Sequence, residues 1–245
     1  MHVEVRGSGP DLVLVHGWAM HGGVFATLAG RLQSRFTLHL VDLPGHGRSL
    51  HSPVPLELEA IADNLCRRLP PAIWIGWSLG GLVALAAAQR HPGRVRGLAM
   101  LCAPPRFMRG EDWPQGMEPA IFHDFASQLE RDYGATIDRF LVLEAQGSNH
   151  AAEELALLRA QVFAQGEPAP QALELGLALL RNSDLRAGLP QLAMPSLWIA
   201  GRRDRLVTAA AMDAAAQLAP RARYVRVDRA GHAPFLSHVT EVEAA

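Results

Sequence analysis

Ser78 stands in Gly76-Trp77-Ser78-Leu79-Gly80, a glycine-flanked serine whose spacing suits a hydroxyl nucleophile held on a sharp turn. Glycines permit the turn and a close approach of neighbouring backbone that a Cβ would block. An apolar run, Ala72 to Ile75, leads into the motif and a helical run from Leu79 leads out of it. That context puts the hydroxyl at a helix N-terminus, where free N–H groups and the helix dipole favour developing negative charge. A serine hydroxyl is a weak nucleophile on its own, so the chemistry needs a base, and the base needs a group to orient it.

His232, in Ala230-Gly231-His232-Ala233-Pro234, is the favoured base among eleven histidines. It lies on a turn just past a late apolar run, from which it can reach Ser78, take its proton and later return that proton to a leaving group. His238 is the rival by position, but it falls where the last helix should begin. Asp204, in Gly201-Arg202-Arg203-Asp204-Arg205-Leu206-Val207, is the favoured carboxylate to hold the imidazole tautomer. The alternative for Asp204 is a solvated carboxylate among three arginines. Asp184 and Asp228 are the other candidates. The chain order Ser, Asp, His suits a nucleophile on a strand–turn–helix elbow. An oxyanion hole on such a frame takes one backbone N–H from the residue after the nucleophile, Leu79, and one from the loop after an early strand, Trp18 in His16-Gly17-Trp18. The Trp18 side chain is equally expected to pack the strand end.

The elements that must position these groups are legible as short apolar runs stopped by Gly, Pro or a charge. Strands are expected at Asp11–Val15, Thr37–Asp42, Ala72–Gly76, Arg96–Cys102, Pro195–Gly201 and Arg223–Val227. Near-continuous apolar runs of this length suit strands of a parallel sheet covered on both faces. Helices are expected between them over Leu56–Leu69, with a 3.6-residue apolar stripe, and over Leu79–Arg90. The alternation breaks after Cys102. Mainly helical patterns follow over 121–131, 136–144, 151–163 and 171–180. The expected architecture is α/β: a doubly wound, mostly parallel sheet formed by 1–103 and 187–245, with a helical cap inserted over 104–186. Open α/β sheets bind ligands at the carboxyl edge of their strands, so such a cap would cover the site.

Composition narrows the class further. The formal net charge is −1, with 23 cations that are all arginine, and nothing global points to a nucleic-acid partner. Two cysteines, Cys66 and Cys102, have no metal-ligand spacing and read as buried thiols. No metal, phosphate-binding loop or other cofactor is expected. Met1 to Arg6 has no cationic region followed by an apolar core, and no run reaches the 18 apolar residues of a membrane span. A cytoplasmic protein, monomeric and away from membranes, is the expectation.

The motifs His16-Gly17-Trp18, Val41-Asp42-Leu43-Pro44-Gly45-His46-Gly47-Arg48-Ser49, Gly76 to Gly81 and Gly231-His232-Ala233-Pro234-Phe235 resemble those of the α/β-hydrolase superfamily. More narrowly, Phe36 to Gly45, Ala72 to Ala84, Arg139-Phe140-Leu141 and His232 to His238 make the chain look like the family of pimeloyl-acyl-carrier-protein methyl ester esterases of biotin synthesis. The resemblance implies a serine carboxylesterase that cleaves the methyl ester of a pimeloyl chain on acyl-carrier protein. It implies that Trp18, Ser78, Leu79, the stretch Phe140, Leu141, Val142, Leu143 and Glu144, and His232 line the substrate channel, and that Arg139 contacts the acidic carrier. Ala135 and Ala152 stand where the family carries further carrier-contacting arginines. Residues 105–186 hold seven arginines against thirteen Asp and Glu, a net of −6. A general short-chain carboxylesterase or thioesterase is the nearest alternative, and a hydrolase-fold small-molecule receptor the alternative from another class. Ser78 argues against a dehalogenase or epoxide hydrolase, which would need Asp at the elbow.

Overall fold

The computed structural model describes residues 1–129 and 131–245, apart from the side chains of 123 and 126. Seven strands form one sheet in the order β1-β3-β2-β4-β5-β6-β7. They are β1 (Val3–Gly7), β2 (Asp11–Val15), β3 (Thr37–Val41), β4 (Ala72–Trp77), β5 (Val95–Leu101), β6 (Ser196–Gly201) and β7 (Ala222–Val227). Only β1 runs antiparallel, paired with β3 at the edge; every other pairing is parallel. The expected strands all form, to within a residue or so at each end. β1 is additional: its residues are half-buried or exposed, so it lacks the continuous apolar run that marks a covered strand.

Helices α1 (Ala26–Leu32), α2 (Leu58–Arg68) and α3 (Leu79–Arg90) follow the early strands. α3 is buried along nearly its whole length because Gly, Ala and Leu let it lie close against the sheet. The connection from β5 to β6 carries α4 (Pro119–Leu129), α5 (Tyr133–Ala145), α6 (Ala151–Val162) and α7 (Pro170–Asn182). After β6 come α8 (Ala209–Leu218), then α9 (Pro234–Ser237) and α10 (Val239–Ala244).

The four inserted helices sit on the carboxyl edge of the sheet. Trp18, on the loop after β2, donates its indole Nε1–H to the Leu173 carbonyl of α7 (2.8 Å) and packs edge-on against Phe140 of α5 (4.8 Å between rings). Ala169 N–H, at the start of α7, donates to the Gly45 carbonyl after β3 (2.8 Å). His21 Nε2–H donates to the Gln161 carbonyl at the end of α6 (2.7 Å). The buried side chains of these helices and of the sheet form one contiguous apolar cluster, so the insertion shares the core of the sheet instead of building its own.

Candidate active site

Ser78 lies between the last residue of β4 and the first of α3, with φ 53° and ψ −121°. A non-glycine residue held there costs on the order of 1–3 kcal/mol, which the surroundings must over-determine. They do. Ser78 N–H donates to the Leu101 carbonyl, and Gly81 N–H donates to the Ser78 carbonyl. A Cβ on Gly80 would stand 2.1 Å from the Val15 carbonyl oxygen, and one on Gly76 would stand 2.5 Å from the Gly80 carbonyl oxygen. The two motif glycines are therefore needed for backbone contact, and Ser78 is the residue left to take the strain.

Asp204 and His232 meet at the ends of β6 and β7. His232 Nδ1–H donates to Asp204 Oδ2 at 2.7 Å, and both side chains are buried. The other carboxylate oxygen, Oδ1, accepts Leu206 N–H (2.8 Å) and Val207 N–H (2.9 Å). Two backbone donors thus fix the carboxylate that orients the ring. His232 is held from its own backbone too: its N–H donates to the Glu144 carbonyl (3.1 Å), and its carbonyl accepts the indole N–H of Trp77 (2.8 Å). With Nδ1 carrying a proton, Nε2 of the neutral ring is an acceptor. That nitrogen is buried and has no hydrogen-bond partner among the described residues. It shares with Ser78 the wall of a small, tight pocket whose other lining is Phe107, Met117, Phe122, Phe140, Leu180 and Leu206. Bonds between nucleophile and base commonly tighten only with substrate in place.

The rival residues are engaged elsewhere. His238 caps α10, with its ring against His150 (5.6 Å) and Nδ1 beside Ser237 Oγ. Asp184 pairs with Arg186 and Arg106, and Asp228 with Arg226.

The backbone N–H groups of Trp18 and Leu79 donate to no protein group among the described residues. Leu79 is placed by the elbow, and Trp18 by the loop after β2, which the buried side chains of His16 and Asp42 hold in shape. Leu43 N–H donates to His16 Nε2 (3.0 Å), so Nδ1 carries the proton and donates to the Gly17 carbonyl (2.8 Å). Burial, and the neighbouring His46, push the His16 pKa well below its ordinary value. Asp42 accepts Gly22 N–H (2.7 Å) and Arg48 N–H (3.0 Å). The His16-Gly17 and Asp42-to-Ser49 motifs tie the loops after β2 and β3 together and take no place in the pocket.

Of the stretch Phe140 to Glu144, Phe140 alone lines the pocket with Ser78 and His232. A helix cannot turn five consecutive side chains to one side. Leu141 is buried in the core, Val142 is 42% exposed, and Leu143 packs at the core's margin. Glu144 is fully buried; both its oxygens lack hydrogen-bond partners among the described residues. Desolvation, and then the charges of Asp204 and Glu154, raise its pKa well above the ordinary carboxylate value. Arg139 is exposed and donates to Gln128 Oε1. Ala135 is exposed and Ala152 is exposed. Phe107, Met117, Phe122, Leu180 and Leu206 escape sequence reasoning: each is an apolar residue in an apolar context, with no signal marking it as lining. Cys102 also escapes it. It has φ 45°, and it stands with Asp204 and His232 so that their ligand atoms lie within 4.8 Å of one another.

Residues 10–239 match the family model of the alpha/beta hydrolase fold. The chain belongs to the α/β hydrolase fold family. This hydrolase is 56% identical, over all of its length and 94% of the relative's, to a pimeloyl-[acyl-carrier protein] methyl ester esterase of Stenotrophomonas maltophilia. A protein of the same description from Xanthomonas oryzae is 56% identical over all of this hydrolase and 96% of that relative. Among solved structures, an esterase from Exiguobacterium antarcticum superposes with a TM-score of 0.87 at 22% identity, covering 99% of this chain and 92% of its own. A bromoperoxidase from Bacillus anthracis superposes with a TM-score of 0.84 at 20% identity, covering 99% and 92%. Likeness at that distance establishes the fold, and the reaction has to be argued from the site.

Proposed function

We propose that the hydrolase is a serine carboxylesterase that cleaves the methyl ester of a pimeloyl chain carried on acyl-carrier protein, the role in biotin synthesis that the sequence resemblance implies. Identity of 56% across the whole chain to proteins of that description supports the substrate. The reaction rests on one observation: the 2.7 Å bond from His232 Nδ1 to Asp204, which leaves Nε2 free in the pocket that Ser78 also lines.

In the proposed mechanism Ser78 Oγ attacks the ester carbonyl carbon while His232 Nε2 takes its proton. The N–H groups of Trp18 and Leu79 hold the oxyanion. Collapse of the tetrahedral intermediate expels methoxide, which takes the proton from His232 and leaves as methanol. Water then attacks the acyl-enzyme with His232 as base, regenerating Ser78 and releasing the free pimeloyl carboxylate. The six apolar side chains suit the methylene chain and an uncharged methyl ester. An ionised carboxylate in so apolar a space is strongly disfavoured, which favours ester over product. Residues 104–186 serve in this reading as the cap that supplies most of that lining.

The test compares pimeloyl-acyl-carrier-protein methyl ester with a short p-nitrophenyl ester, using wild type and Ser78→Ala. The variant is expected to lose about a millionfold in the chemical step. Preference of the wild type for the carrier-linked ester supports the full proposal. Turnover of the short ester alone reduces it to a general carboxylesterase, and turnover of neither would mean a binding protein.

A further inference from the structure

Three cations without a carboxylate partner among the described residues flank the residue that orients the base. Arg202, Arg203 and Arg205 surround Asp204 in sequence, yet Asp204 is spent on His232 and on two backbone donors, with its side chain buried. All three arginines are exposed, and none pairs with a carboxylate among the described residues. The loop that carries them is held firmly: Arg202 N–H donates to the Val227 carbonyl (2.9 Å) and Arg203 N–H to the Ala230 carbonyl (3.0 Å). These bonds bring it against the loop after β7, which adds the exposed Arg229.

The inserted helices are electrostatically the opposite. Of the seven arginines over 105–186, Arg106, Arg109, Arg159 and Arg186 are paired to carboxylates. With that segment at −6 and the whole chain at −1, the remainder of the chain carries +5. An acidic partner therefore meets net repulsion from the inserted helices, whereas the loops after β6 and β7 offer it a local cluster of exposed arginines.

These loops also adjoin the pocket. Leu206, next to Arg205, lines the pocket with Ser78. Thr208 Oγ1 donates to the Gln115 carbonyl (2.8 Å), two residues before another lining residue, Met117. An arginine fork pairs bidentately with a carboxylate, so exposed arginines here suit the carboxylates of an acidic protein face.

We propose that the loops after β6 and β7, through Arg202, Arg203, Arg205 and Arg229, form the docking surface for the acidic acyl-carrier protein, in place of the inserted helices and Arg139. The inference rests on the carrier-linked substrate proposed above. Its test is steady-state kinetics of Arg202→Gln/Arg203→Gln/Arg205→Gln and of Arg139→Glu on the carrier-linked methyl ester and on a carrier-free short ester. The triple variant is expected to raise KM for the carrier-linked ester at least about tenfold and to flatten its dependence on salt. Turnover of the carrier-free ester and the carrier-linked KM of Arg139→Glu should stay near wild type. An unchanged carrier-linked KM in the triple variant, or a rise in Arg139→Glu instead, overturns the proposal. Should the triple variant also lose turnover of the short ester, Arg229→Glu reads the same surface from the neighbouring loop, and an unchanged carrier-linked KM there overturns it. A wild type with no preference for the carrier-linked ester sinks the proposed substrate and this surface together.

Discussion

Asp204 accepts three hydrogen bonds and none of its capacity faces water, since its side chain is fully buried. An amide in its place keeps the size but offers Nδ1 of His232 a donor as readily as an acceptor, so the ring loses its reason to keep the proton on Nδ1. Asp204→Asn is expected to lower kcat about ten-thousandfold, with KM for the short ester little changed. Stopped assays of purified variant and wild type check this; a loss below about tenfold would assign the orienting role elsewhere. The two thiols make the contrasting case. Burial pushes the Cys66 pKa up to about 11, and burial followed by the charge of Asp204 pushes that of Cys102 well above its ordinary value. Thiolate is the reactive form. Neither cysteine should therefore react with an aromatic disulfide reagent in the native protein, and both should react in urea. Fast labelling of the native protein at Cys102 would mean that the edge of the sheet opens.

The glycines of the elbow act at the scale of elements, because they set how closely α3 and β4 approach the loop after β2. A methyl on Gly80 has no room: the atoms it meets are backbone carbonyls of Val15 and His16, at 2.1 and 2.5 Å. Backbone cannot swing aside as a long side chain can. Gly80→Ala is expected to destabilise by at least about 1–3 kcal/mol and to lower esterase activity further than the folded fraction accounts for, as the Leu79 N–H is displaced. Thermal unfolding and activity on the same preparation separate the two effects. Why this element was legible, and others were not, has a physical cause. The elbow is a turn whose geometry demands particular residues, and β2 to β6 are interior strands, largely covered and therefore largely apolar. β1 is a half-exposed edge strand, and α8 is Ala-rich from Ala209 to Ala216, so neither shows the contrast that marks an amphipathic element. The pocket lining was not legible because it comes from separate segments, 107, 117, 122, 140, 180 and 206, that only the folded chain brings together. Arg139 and the stretch from Leu141 to Glu144 rested on resemblance, and helical geometry sends most of that stretch away from the pocket.

At the scale of the molecule, the inserted helices and the sheet share one core, and two carboxyl groups are trapped inside that junction. Glu144 on α5 is fully buried without partners among the described residues, facing Asp204 and Glu154. Glu154 on α6 is buried with one oxygen accepting Ser148 Oγ–H (2.6 Å). Desolvation, the largest cause for both, raises both pKa values. The sign of the consequence follows from proton binding. Below the unfolded value of 4.5 both states of the protein hold these protons and the groups add no pH dependence to stability. As pH rises past it, the unfolded chain releases its protons while the folded chain keeps them, so stability falls with pH until the folded values are reached. Glu144→Gln removes that slope at one of the two positions while preserving shape. The urea midpoint of the variant should rise relative to wild type as pH goes from about 5 to about 8, with the two nearly equal at the acid end. Parallel midpoints across that range would mean that Glu144 is ionised and compensated in the folded protein. A gap that widens with pH would mean instead that the joint between insertion and sheet is held together by a neutral acid beside the charged Asp204, at a stability cost accepted next to the site.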